Sequence, residues 1–104
     1  MIPPQLTVAR RVAVEIVRLA ALEVPGVLRV GRGGGGIAAR LAGSATRVRI
    51  RDGAVDARIW LVARPGQALV PLAREVRGAV GAAIERLLGL EVRDITIVVD
   101  GVGT

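Results

Sequence analysis

The sequence predicts an α+β domain: a three- to four-stranded mixed sheet with two helices packed on one face, in the order α-β-β-β-α-β. Three features carry that expectation. Asp52-Gly53 separates two runs that alternate apolar and polar residues, the signature of a tight hairpin. Two segments, one on each side of the hairpin, repeat apolar residues at the helical period. A closing run alternates again. With 104 residues the chain fits one domain, residues 1–104, with no room for a second core.

Met1 to Leu6 contains Pro3 and Pro4 and is expected to be an extended lead-in. From about Ala9 to Glu23 the pattern turns helical, with Val12, Ile16, Leu19, Ala20 and Glu23 on one line and Ala13 and Val17 beside it. Arg11, Glu15 and Arg18 form a narrow polar stripe, in which Arg11 and Glu15 are spaced as an i,i+4 pair. So wide an apolar arc means that the helix is either sandwiched or offers a second side to a partner. Pro25-Gly26 ends it.

Val27 to Val30 suits a short strand. Gly31-Arg32-Gly33-Gly34-Gly35-Gly36 then reads as a mobile or irregular connector without bound ligand, because each glycine adds backbone freedom that ordering must remove. Ile37 to Ala42 could form one amphipathic helical turn. The hairpin follows, Arg47 to Arg51 and Ala54 to Val62. A two-residue type I′ turn at Asp52-Gly53 sets Ile50 opposite Val55, Arg49 opposite Asp56, Val48 opposite Ala57 and Arg47 opposite Arg58. Val48, Ile50, Val55, Ala57, Ile59 and Leu61 then share one face. Arg47, Arg49, Asp56, Arg58 and Trp60 share the other.

Pro65-Gly66 breaks the chain, and a second helix is expected from near Leu69 with Pro71 in its first turn. Its apolar line is Leu69, Leu72, Ala73, Val76, Val80, Ala83, Ile84 and Leu87, and Gly89 is the expected stop. The last strand, Glu91 to Asp100, should turn Ile95, Ile97 and Val99 to the helices and Asp94, Thr96, Val98 and Asp100 away.

Composition narrows the chemistry. The chain has no His, Cys, Lys or Tyr and a single serine, Ser44, so the usual general bases, nucleophiles and soft metal ligands are missing. The nine carboxylates form no cluster with metal spacing. The glycine run lacks the Gly-Lys-Ser/Thr ending of a phosphate-cradling loop. No enzyme, cofactor, metal site or small-molecule substrate is expected. All fifteen cations are arginine, and the net charge of +6 suggests an anionic partner. A solvated surface, anionic lipid, an acidic protein surface and nucleic acid all stay open. Nucleic acid ranks last because single-strand readers stack bases on exposed aromatics and Trp60 is the only aromatic residue.

Three blocks resemble the alkaline-shock-protein (Gls-type) family of bacterial envelope stress proteins. They are Ile16-Val17-Arg18-Leu19-Ala20-Ala21-Leu22-Glu23-Val24-Pro25-Gly26-Val27; Ala73-Arg74-Glu75-Val76 followed by Val80 and by Ala83-Ile84-Glu85-Arg86-Leu87-Leu88-Gly89-Leu90-Glu91-Val92; and Ile95-Thr96-Ile97-Val98-Val99-Asp100-Gly101-Val102. They fall in the family's order and span most of residues 8–102. Two departures stand out. Ala9 sits where the family opens its first helix with Ser or Thr, leaving Thr7 as the substitute cap. Arg64-Pro65-Gly66 sits where the family often has an aromatic-Gly pair. The resemblance implies a non-enzymatic scaffold in envelope stress homeostasis, cytoplasmic and membrane-proximal. It would be held there by a small membrane-anchored partner or paralogous copies, and prone to self-association into an oligomer. A weak contact with anionic lipid is a lesser option, and a basic RNA-binding module is the alternative function. The expected interaction surface is the open sheet face centred on Trp60, with Arg58, Arg47, Arg49 and Val98 around it. A bulge after Ala57 would instead turn Trp60 into the core.

Overall fold

The computed structural model describes residues 4–33 and 44–103. Helix α1 (Pro4–Leu22) leads into strand β1 (Val27–Val30), the hairpin β2 (Thr46–Arg51) and β3 (Ala54–Ala63), helix α2 (Leu69–Leu88) and strand β4 (Glu91–Val102). The order is the α-β-β-β-α-β expected. β3 is the axis of the sheet. Antiparallel β2 covers its first half and antiparallel β1 its last three residues, while β4 runs parallel along its length. A strand has two hydrogen-bonding edges, so β1 and β2 share one end to end and β4 takes the other. The sheet is mixed, and α2 supplies the crossover that a parallel pair requires.

The hairpin follows the predicted register at all four named pairs. Asp52 and Gly53 both have positive φ, 53° and 73°, as a type I′ turn demands. Gly89 closes α2 in the left-handed conformation, φ 65°, and its N–H bonds the Glu85 carbonyl at 3.1 Å. The core lies between sheet and helices. Val48, Val55, Ala57, Ile59, Leu61, Ala63 and Ile95 meet Ala13, Val17, Ala20, Ala21, Leu72, Val76, Val80, Ala83 and Ile84.

Several expectations are corrected. α1 begins at Pro4 rather than after an extended lead-in, because proline is well suited to a helix's first position. Thr7 therefore lies inside the helix rather than at the position before its first residue. The buried line of α1 is Ala13, Val17, Ala20 and Ala21, while Val12 and Leu19 are exposed. The pair on its polar stripe is Glu15 with Arg18, and not with Arg11. Leu69 and Leu87 of α2 also face outward. The expected turn from Ile37 to Ala42 and the glycines from Gly34 to Gly36 lie outside the described residues.

Candidate functional site

The open face of the sheet is built by the alternation Arg47-Val48-Arg49-Ile50-Arg51. Val48 is buried and Ile50 packs against the core, so all three arginines point away from the helices and are exposed. β3 adds Asp56, Arg58, Trp60 and Val62 to this face, and β4 adds Asp94, Thr96 and Val98 opposite Asp56, Arg58 and Trp60. The five expected surface residues, Arg47, Arg49, Arg58, Trp60 and Val98, are therefore brought together on one face.

Trp60 itself needs a correction. It points to the open face, and the β2–β3 ladder is unbroken, so the bulge after Ala57 is absent from that pairing. Its relative exposure is nevertheless only 8%. The cover comes from the chain leaving β1. The Gly31 N–H donates to the Trp60 carbonyl at 2.9 Å, and the Trp60 N–H donates to the Ala45 carbonyl at 2.8 Å. The connection between β1 and β2 thus starts and ends on one backbone unit. The Arg32 guanidinium lies 3.8 Å from the indole centroid, with Arg47 at 5.1 Å and Arg58 at 5.8 Å. The Gly33 N–H then donates to the Asp100 carboxylate at 2.7 Å. A side chain at position 33 would begin 1.5 Å from the Asp100 carbonyl oxygen, so only glycine fits this crossing. Gly31 to Gly33 are irregular, as expected, but docked rather than free.

Beyond Trp60 lies a basic groove of about 550 Å³, with Arg47, Arg49, Asp56, Arg58, Asp94, Thr96 and, from α1, Arg10 among its walls. Asp56 is engaged by Arg93, which a β4 bulge between Val92 and Asp94 swings across at 3.6 Å and which also donates to the Arg51 carbonyl at 3.3 Å. Asp94 accepts the Thr96 hydroxyl at 3.3 Å. Among the described residues no carboxylate lies within ion-pair distance of Arg47, Arg49, Arg51 or Arg58. Arg47 sits directly opposite Arg58, a like-charge pair that costs stability in an antiparallel ladder. Sequence reasoning missed Arg32, Arg51 and Arg93, and it placed Asp100 on this side of the last strand without its contact to Gly33. The strict Arg-x-Arg-x-Arg alternation could have found Arg51; the others depend on a bulge and a loop crossing that leave no local signature.

Among the described residues no group of three or more acids could hold a metal ion. Nor is any of their helices long and apolar enough to cross a membrane. A family model described as the alkaline shock protein 23 family, with cell envelope-related function, matches residues 3–104. The chain belongs to that family. Its cell-envelope role and its α+β architecture follow the resemblance read from the three sequence blocks. No curated protein matches the chain. Solved structures similar to it include the zinc form of a MamM CTD variant, at 17% identity and TM-score 0.63, covering 88% of this chain and 84% of that one. The manganese form of a second MamM CTD variant is 18% identical with TM-score 0.62, covering 88% and 96%. The MamM CTD copper form is 17% identical with TM-score 0.63, covering 88% and 84%. At such identities the likeness is one of fold. This alkaline-shock family member has neither His nor Cys with which to imitate a transition-metal site.

Proposed function

We propose that this protein is a non-enzymatic scaffold of the bacterial cell envelope, held near the membrane from the cytoplasmic side by a membrane-anchored partner and associating with its own copies. The observation that carries this reading is a rigid sheet face presenting Arg47, Arg49, Arg51 and Arg58 to solvent, in a chain whose family is defined by a cell-envelope role. The residue set supports binding rather than turnover. Arginine stays protonated, so the exposed cations can hold an anion but are poor proton carriers.

Self-association draws on two further surfaces. Among the described residues β4 pairs with β3 alone, and an unpaired strand edge is a template for pairing. Val8, Val12 and Leu19 form an exposed apolar stripe on α1, the second side that the wide apolar arc anticipated. The test is purification of the tagged protein from its own host, alongside an Arg47→Gln/Arg49→Gln/Arg51→Gln variant. The scaffold reading expects a protein with an apolar membrane span, or further copies of the domain, to co-purify with the native form and be depleted from the variant. Co-purification of RNA with steep salt dependence, and no membrane protein, would favour the RNA-binding alternative.

A further inference from the structure

We propose that the arginine face, whose groove is walled by Arg47 and Arg49, takes an extended acidic peptide segment of the partner, with carboxylates at alternate positions matched to Arg47, Arg49 and the next arginine of the strand, Arg51. The inference rests on the scaffold reading and gives its docking surface a chemical class of partner. Alternate residues of a strand repeat at roughly 6.5–7 Å, so the three guanidiniums form a ladder with the spacing of alternate side chains in an extended peptide. Each guanidinium can hold a carboxylate through two parallel hydrogen bonds. Of the surrounding carboxylates, Asp56 is paired with Arg93, and Asp94 accepts only the neutral Thr96 hydroxyl, so four ladder-face arginines stand against one uncompensated acid. Arg58 directly opposite Arg47 is a repulsion that an incoming anion would relieve.

Charge alone would also suit a nucleic acid or a lipid surface, and the same face argues against both. A single strand of nucleic acid needs aromatic platforms for its bases, and the one aromatic ring is covered by Arg32. A membrane-docking surface pairs its cations with apolar side chains that enter the interface. Among the described residues the exposed large apolar side chains are Val8, Val12, Leu19, Leu69, Val70 and Leu87 on the helices and Val102 at the end of β4, and none is on β2, the strand that carries the arginine ladder.

The experiment titrates the full chain into a fluorescein-labelled peptide alternating Glu and Ser, and into a block isomer of the same composition. The alternating peptide should bind more tightly, weaken as salt is raised, and perturb the emission of Trp60, which Arg47 and Arg58 flank. Arg47→Gln and Arg49→Gln should each weaken it by roughly tenfold, as loss of a charge-assisted pair implies, while Arg86→Gln on α2 should not. Equal affinity for both isomers, no effect of the ladder variants, or stronger binding to poly(U) or to phosphatidylglycerol vesicles would overturn the proposal. The two readings fail separately. If the ladder variants lose the co-purifying membrane protein yet no acidic peptide binds, the peptide inference falls and the scaffold stands. If the peptide binds but the native protein is never found with the envelope, the scaffold reading falls instead.

Discussion

Trp60 and Gly33 act as a pair at the point where the β1–β2 connection crosses the sheet. The indole is the floor under Arg32, and the absent side chain of Gly33 lets the backbone approach Asp100. Trp60→Ala should therefore cost about 3 kcal/mol of folding stability, in the range of truncating a buried aromatic. Gly33→Ala should also destabilise, since its new methyl has no room to enter. Denaturant unfolding followed by circular dichroism measures both. A loss below about 1 kcal/mol for Trp60→Ala would mean that the ring is not packed as described. A third residue-scale expectation concerns Glu15. Its hydrogen bond from Arg18 lowers its pKa and raises that of Arg18. A lowered folded-state pKa contributes stability that is present above the ordinary carboxylate range and lost as pH falls through the lowered value. Comparing native protein with Glu15→Gln across pH should thus show a small gap near neutrality that closes in acid. A gap that widened on acidification would contradict the pairing. The cover over Trp60 was not legible in the sequence, because it depends on Gly31, Arg32 and Gly33 meeting residues of β3 and β4 far along the chain.

The elements were legible in proportion to how many constraints agreed. At the hairpin, the turn chemistry of Asp52-Gly53 and the two-residue alternation demand the same register, and that register is found. At α1 the run from Val12 to Leu22 is apolar on nearly every side, so periodicity had little contrast with which to choose a face, and it chose one rotated from the buried line of Val17 and Ala21. Proline suits an extended lead-in as well as a helix's first position, and at Pro4 it starts the helix. α2 offers a direct test of the local physics. Gly89 holds a left-handed cap, and Gly89→Ala should cost about 1 kcal/mol. Gly78 lies in the same helix with nothing near its missing side chain, and Gly78→Ala should add about 0.5–1 kcal/mol. Thermal melts of the two variants should move in opposite directions. Parallel shifts would refute the assignment of either the cap or the open site.

At the scale of the whole molecule, the fold divides labour between its two layers. The helices and the inner sheet face supply an aliphatic core, and the outer face is left to arginines held on a rigid ladder. Fold class and the membership of Arg47, Arg49, Arg58 and Val98 in one face could be read in advance, since both follow from alternation. The charge balance of that face could not, because the bulge that brings Arg93 onto Asp56 has no local signature. The central claim is that this face ties the protein to the envelope. Its most direct test is the partition of the protein between membrane and soluble fractions of its own host, for the native chain and for the folded Arg47→Gln/Arg49→Gln/Arg51→Gln variant. The account predicts the native protein in the membrane fraction and the variant shifted to the soluble one, with unchanged cooperative unfolding. A variant that pellets with membranes as fully as the native protein would contradict it.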